Sequence, residues 1–244
     1  RGVRTFRVPD IAAGHHSLVL HLVDFESLEV LQQESLTFYV RANDFEYIPP
    51  TDPHGPQFNM VAFSKDRACQ VDLLLRSMKE MAPGWVDQKF SVLYLASQDG
   101  YQEGYRRLKR AHRDINFVLQ TEAGDNFKEA LLATLDPSLP FTMFFVDDQV
   151  FTAPFGFMND TCVKRFAENP KILACSLRMH PSVSYCYPND EHVSRPGSLT
   201  SDNIWDWRGL DGDWGYPMSV DAHVFRTAEL LPLLNRIDYI NPHQ

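Results

Sequence analysis

The sequence predicts an α/β domain with a mainly parallel sheet flanked by helices, preceded by a small β-rich segment. Three observations carry this. From Phe58 onward, short apolar runs alternate with stretches whose apolar residues recur at helical spacing, the pattern of right-handed βαβ units. The run Phe141-Thr142-Met143-Phe144-Phe145-Val146 is almost continuously apolar and ends in two adjacent carboxylates, Asp147 and Asp148, as a strand buried on both faces would. Before residue 43 the pattern differs, with short strand-like runs set between turn residues.

Taken in order, Ser17 to Val23 and Ser35 to Val40 read as strands, with Gly14 and the stretch Asp24 to Ser27 supplying turns. So few strands bury little core by themselves. Residues 1–42 therefore read as the closing strands of a β-sandwich that begins upstream, or as a hairpin packed on the next domain. Residues 43–57 hold Pro49, Pro50, Pro53 and Pro56, a stiff linker composition. The main domain is then 58–244. Phe58 to Phe63 reads as a strand and Ser64-Lys65-Asp66-Arg67 as a polar turn. Val71, Leu74, Leu75, Met78 and Met81 mark a helix that ends at Pro83-Gly84. Phe90 to Ala96 is the next strand, and Tyr101, Tyr105, Leu108 and His112 mark the face of the next helix. Ile115 to Leu119 is a third strand, Phe127, Leu131 and Leu135 a third helix face, and Phe141 to Val146 the fourth strand. Beyond it, Thr161 to Asn169 reads as a short helix, Ile172 to Leu177 and Val220 to Phe225 as strands, and Thr227 to Leu234 as a helix. His180 to Gly212 is a long polar loop, of a kind usually functional or disordered.

Bulk properties narrow the function. The 244 residues are 44% hydrophobic and 23% charged, ordinary for a globular protein. A formal charge of −9 argues against a general nucleic-acid binder. No apolar stretch reaches the about 20 residues that span a bilayer. The basic run Arg106, Arg107, Lys109, Arg110 and Arg113 reads as a solvated helix face, or as a peripheral contact with an anionic membrane surface. Cys69, Cys162, Cys175 and Cys186 have neither zinc-site nor disulfide-framework spacing. They read as buried free thiols in a reducing, cytoplasmic setting. The chain starts at Arg1 without Met, so a native start is expected upstream. No role is assigned to His15, His16 or His21.

Two adjacent carboxylates at the end of a buried strand repel each other unless a cation lies between them. The simplest resolution is a divalent metal with oxygen ligands; the competing reading is a turn or a helix cap. Ligands of parallel sheets bind outside the carboxyl ends of the strands. Both the Ser64–Arg67 turn and the Asp147-Asp148 pair follow such ends, so they are expected to face one crevice. Lys65 and Arg67 contact phosphate or base there, or form a solvated turn. Asp66 accepts from base or ribose, or caps the following helix. Asp221 and His223 are two apart and share a face if strand-borne, supplying a base or a metal ligand, or serving core and turn. Trp205, Trp207 and Trp214 stack on a ligand or sugar ring, or peg the loop to the core.

In this order and spacing the motifs resemble the GT-A-fold, nucleotide-sugar-dependent glycosyltransferases, most nearly the family-2-type enzymes. Val61-Ala62-Phe63-Ser64-Lys65-Asp66-Arg67 resembles the first strand and nucleotide-binding turn. Phe144-Phe145-Val146-Asp147-Asp148 resembles the strand that ends in a DxD-type motif. Trp214-Gly215-Tyr216-Pro217-Met218-Ser219-Val220-Asp221-Ala222-His223-Val224-Phe225-Arg226 resembles the later segment on the acceptor side. The resemblance implies a GT-A (Rossmann-like) sheet and metal-dependent transfer of a sugar from a nucleotide-sugar donor to a glycan or other carbohydrate acceptor, as in polysaccharide biosynthesis. It implies Mn2+ or Mg2+ on Asp148 with Asp147, and the donor nucleotide on Ser64, Lys65, Asp66, Arg67 and Asp147. Asp221 and His223 would be catalytic, and Trp205, Trp207 and Trp214 would line the acceptor side. The sequence departs from a strict D-x-D, which needs an acid at Gln149 or, read one step earlier, at Val146. Asp148 is then the principal metal contact, and Gln149 a neutral oxygen ligand or a bystander. The family's further acidic residue, often the general base, is expected beyond Gln244. Two competing readings remain. A nucleotidyltransferase would favour a glycine-rich basic first turn, which Ser64–Arg67 lacks. A non-catalytic carbohydrate-binding protein would keep the fold alone.

Overall fold

A computed structural model describes residues 14–23, 30–40, 57–120 and 126–242. The chain divides into two compact units, Arg1–Tyr47 and Ile48–Gln244. In the first, β1 (Gly14–Val23) pairs antiparallel with β2 (Val30–Val40), from Gly14 opposite Val40 to Val23 opposite Val30. The turn expected at 24–27 and the proline-rich stretch 43–56 lie outside the described residues.

The second unit is built on a six-stranded sheet. Its strands are β3 (Phe58–Lys65), β4 (Lys89–Leu95), β5 (Asn116–Leu119), β6 (Phe141–Val146), β7 (Cys175–Ser176) and β10 (His223–Arg226). Two short strands between the last two, β8 (Tyr185–Cys186) and β9 (Glu191–His192), form a separate two-stranded antiparallel sheet. The order across the main sheet is β5-β4-β3-β6-β10-β7. The first four strands are mutually parallel, and β10 runs antiparallel to both its neighbours. The carboxyl ends of β3 and β6 therefore lie side by side, as the sequence predicts. This is an α/β architecture with a mostly parallel central sheet flanked by helices.

The helices follow from the apolar spacing. Helix α1 (Ala68–Met81) buries Val71, Leu74, Leu75 and Met78. Helix α2 (Asp99–Ala111) buries Tyr105 and Leu108, and α3 (Phe127–Thr134) buries Phe127, Ala130, Leu131 and Thr134. Helix α4 (Thr161–Glu168) is capped by Asp160, whose carboxylate accepts from Cys162 N and Val163 N. Helix α5 (Thr227–Arg236) follows β10 directly. Central β3 is buried from Phe58 through Ser64, so its side chains fill both faces of the sheet. On one face Val61, Phe63 and Phe144 join Phe127, Leu131, Phe225 and Leu230. Elsewhere in the core Phe58, Phe141 and Phe166 stack in a row, with ring centroids 5.3 and 5.8 Å apart. Asn59, a polar residue in a buried strand, is satisfied at both ends of its amide. It donates to Asp136 O at 2.9 Å and accepts from Asp136 N at 2.7 Å.

Several local expectations need correction. Tyr101 is exposed, so the buried face of α2 starts at Tyr105. The strand expected over Ile172 to Leu177 is only Cys175–Ser176, because it pairs with β10 at two positions alone. The strand expected from Val220 begins at His223, because Ala222 has φ +52, a left-handed conformation that interrupts extended backbone. Cys175 and Cys186 are buried free thiols, but Cys69 and Cys162 are exposed. Arg106, Arg107 and Arg110 all pair with Glu103, at 3.3, 3.1 and 3.4 Å, so the basic face of α2 is partly neutralised from within. Among the described residues no helix is long and apolar enough to cross a membrane.

Candidate functional site

The crevice expected at the strand ends is present, with a volume of about 790 Å³. It is lined by Ser64 and Lys65 at the end of β3 and Arg67 beyond it, Leu95 at the end of β4, Gln120 after β5, and Asp147, Asp148 and Gln149 after β6. Arg178, Asp221 and residues 240–242 complete it.

Its floor is a relay of hydrogen bonds. Arg67 N–H donates to Tyr105 Oη at 3.1 Å, and Tyr105 Oη lies 2.5 Å from Ser64 Oγ. Ser64 Oγ donates to Asp147 Oδ2 at 2.9 Å. Burial pushes the Tyr105 phenol above its usual range, so Tyr105 stays protonated and donates to Ser64. Asp147 is buried with its second oxygen, Oδ1, 3.4 Å from Arg67 Nη1. Asp148 Oδ2 lies 3.9 Å from the same nitrogen, and its side chain is 57% exposed. The cation between the two carboxylates in this structure is thus Arg67.

The neighbouring residues are already engaged. Asp66, at φ +60, accepts from Ser97 N and Ser97 Oγ, both at 2.7 Å. It ties the end of β3 to the loop after β4. Helix α1 has Arg67 as its N-cap residue and no side-chain cap, so Asp66 does not cap it. Gln149 Oε1 accepts from Val146 N at 3.1 Å. The amide oxygen closes the end of β6 beside the acidic pair.

Whether a divalent ion fits can be judged from the donors. Asp147 Oδ1 and Asp148 Oδ2 converge on one cationic nitrogen, and carboxylate oxygens are hard donors suited to Mg2+ or Mn2+. Among the described residues, no group of three or more His, Cys, Asp and Glu side chains is placed to hold an ion. The pair therefore fits an ion whose coordination is completed by a ligand's phosphates and by water, not an all-protein cage.

Asp221 and His223 are not on one face. Asp221 precedes the left-handed Ala222 and lines the crevice, with Oδ2 3.9 Å from Arg178 Nε. His223 is buried and lines a second cavity. Burial pushes its pKa down to about 4, so the ring is neutral at neutral pH. Its Nδ1 donates to Asp221 O at 2.9 Å, since a carbonyl can only accept, and this leaves Nε2 as the unprotonated nitrogen.

The second cavity, about 780 Å³, holds all three predicted tryptophans and shares no lining residue with the crevice. Helix α4, residues 171–176 and the loop 198–208 form its walls. Trp214 is buried, donates to Val183 O at 3.3 Å, and meets Trp205 edge-on with centroids 5.1 Å apart. Trp205 donates to Trp214 O at 3.0 Å. These two peg the loop, while Trp207 presents an exposed ring.

Arg178 is a crevice residue that the sequence does not disclose. Its Nη2 donates to Asp213 Oδ1 at 2.9 Å, so it joins the turn carrying Trp214 to the crevice wall. Among the described residues its buried Nε has no hydrogen-bond partner. A lone arginine two residues past a two-residue strand gives no periodic signal. Tyr105 was legible only as a helix-face residue; its hydroxyl's role depends on Ser64, 41 positions away.

No family model and no curated protein matches the sequence. Among solved structures, the chain is similar to a mannosyltransferase from Pyrobaculum calidifontis in complex with GDP-Man and Mn2+, at 19% identity and a TM-score of 0.36, over 55% of this chain and 38% of that one. It is similar to a 4-diphosphocytidyl-2C-methyl-D-erythritol synthase from Anaerococcus prevotii DSM 20548, at 10% identity and a TM-score of 0.38, over 76% and 79% of the two chains. The ligand-free bifunctional glycosyltransferase WbbM is similar at 13% identity and a TM-score of 0.35, over 85% of this chain and 37% of that one. This chain thus spans well under two thirds of the first and third of these proteins. Likeness at this level assigns neither a residue role nor an activity.

Proposed function

We propose that the chain is a metal-dependent glycosyltransferase that moves a sugar from a nucleotide-sugar donor to a glycan or other carbohydrate acceptor. The observation that carries this is the crevice itself. It gathers Ser64, Lys65 and Arg67 with Asp147, Asp148 and Asp221 outside the carboxyl ends of a parallel sheet. The sequence resemblance supports the same reading.

Each residue then has a distinct task. Lys65 and Arg67 bind diphosphate oxygens, the arginine through its planar fork. Ser64 and Tyr105 fix the buried Asp147 beneath them. Asp66, committed to Ser97, shapes the turn that bears these groups. Asp148, with Asp147, would hold Mn2+ or Mg2+, whose chemistry here is to neutralise charge on a departing diphosphate. Asp221 lines the same crevice as a half-buried carboxylate, placed to take a proton from an acceptor hydroxyl. Arg178 and His223 act as positioning residues for Asp221, through its carboxylate and its backbone carbonyl respectively. The cavity bearing Trp207 holds a sugar unit of the acceptor remote from the hydroxyl that reacts in the crevice, with the exposed indole as its stacking surface.

Calorimetric titration of UDP and GDP, each with Mn2+, tests the reading in wild type and Asp148→Asn. The substitution removes one charge from an exposed side chain and nearly keeps its shape. The expected result is metal-dependent binding in the wild type, its loss in the variant, and an unchanged thermal midpoint. Equal metal-dependent binding by both proteins would remove Asp148 from the site.

A further inference from the structure

The crevice already contains a cation at the point where the proposed metal belongs. Arg67 Nη1 lies within 4 Å of Asp147 Oδ1 and of Asp148 Oδ2, at 3.4 and 3.9 Å. The other oxygen of Asp147 is taken by Ser64. The oxygens that face Arg67 are therefore the ones a divalent ion would use. The occupant is a guanidinium, whose planar fork suits a phosphate as well as a carboxylate.

The backbone and the side chain of Arg67 are held very differently. Its N–H is fixed to Tyr105 Oη at 3.1 Å, and its carbonyl accepts from Gln70 N and Val71 N at the start of α1. Its side chain is 57% exposed and makes two long, single-nitrogen contacts with carboxylates. Neither is the bidentate fork-to-fork geometry that guanidinium favours. A diphosphate in the crevice offers that geometry, so the side chain can exchange weak partners for strong ones without moving the backbone.

We propose that Arg67 is an exchangeable counter-ion: it occupies the Asp147–Asp148 pair in the free protein, disfavours binding of a lone divalent cation, and moves to the diphosphate when a nucleotide arrives, releasing the carboxylates to the metal. This rests on the reading of the crevice as a nucleotide and metal site and adds a binding order to it. Metal and nucleotide become positively coupled through one side chain, and the coupling is reciprocal. A charge-neutral residue at position 67 uncouples them.

Mn2+ binding followed by the EPR signal of the free ion, alone and with UDP or GDP, tests this in wild type, Arg67→Gln and Arg67→Lys. Arg67→Gln is expected to tighten binding of Mn2+ alone by about fivefold, the upper end for so exposed an ion pair. It should also weaken nucleotide binding and shrink the factor by which each ligand strengthens the other. Arg67→Lys keeps the charge and loses the fork, so Mn2+ alone should bind as weakly as to wild type while nucleotide affinity falls. These opposite signs separate counter-ion exchange from a general loss of structure, which would weaken both ligands. Unchanged or weaker binding of Mn2+ alone by Arg67→Gln overturns the inference and leaves the functional reading intact if the wild type still binds metal and nucleotide together. A wild type that binds Mn2+ with neither nucleotide overturns both.

Discussion

The strand-end crevice and the tryptophan cavity have nearly the same volume, about 790 and 780 Å³, and are made of opposite materials. The crevice floor consists of the ends of four parallel strands, each fixed by its neighbours. Its polar groups are tied in a continuous relay from Arg67 through Tyr105 and Ser64 to Asp147. The cavity is walled by a helix and a long loop that holds itself together by tryptophan packing. Volume alone does not distinguish the two. What does is that sheet geometry delivers charged side chains from distant parts of the sequence to one line, whereas the loop lines its cavity with near neighbours in sequence, Trp205 and Trp207 set among polar and charged residues.

The comparison can be broken at the tryptophans. Trp214→Ala removes a buried indole and its hydrogen bond and should cost about 3–5 kcal/mol of stability, read from urea unfolding. Binding of Mn2+ with nucleotide to the folded protein should stay within about twofold, the sub-kcal/mol scale of distant sites. A larger loss would mean that the Arg178–Asp213 tie carries strain into the crevice, and that the two regions are one site.

His223 sits between them and sharpens the contrast through pH. Its folded pKa of about 4 lies below the ordinary value of 6.5, so the unfolded chain takes up a proton more readily. Stability from this residue is complete above about pH 6.5 and falls as pH drops toward 4, by up to about 3 kcal/mol. Urea midpoints at pH 7 and 4.5 should therefore diverge more in wild type than in His223→Gln. Equal divergence in the two proteins would assign the acid sensitivity to other groups.

The smallest expected effect on stability is at Trp207. Because the ring is exposed, Trp207→Ala should change stability by less than about 0.5 kcal/mol. It should still weaken binding of neutral oligosaccharides in a titration panel, with nucleotide binding unaltered. Undiminished saccharide binding would take the cavity out of the acceptor role.

What was legible in the sequence followed from how strongly each residue's neighbours were dictated. Strand β6 was readable to the residue, because six mostly apolar positions bounded by Pro140 and two acids admit little else. The crevice was readable because strand direction in a parallel sheet fixes which ends meet. Asp66 was not, because its partner Ser97 lies 31 positions away and leaves no local mark. The shared face of Asp221 and His223 failed on one dihedral angle, the positive φ of Ala222, which alternation cannot reveal. The sequence puts a divalent metal at Asp147 and Asp148; that Arg67, 80 positions upstream of Asp147, reaches both carboxylates leaves no local mark.

Strand β10 comes last in the sheet's sequence order but sits between β6 and β7. A chain made from its amino end must therefore complete α4, β7 and the long loop before the strand that bridges them exists. At about 5–20 residues per second, the outer edge of β6, next to Asp147 and Asp148, stays without its ladder partner for several seconds of synthesis. An unpaired edge is a template for other strands. The arrival of Arg226 ends this interval twice over: its backbone pairs with Phe141, and its buried guanidinium takes up the carbonyls of Phe166, Asn169 and Ile172 behind α4. The nascent chain thus acquires the strand that leads to its acidic pair early and that strand's protection late.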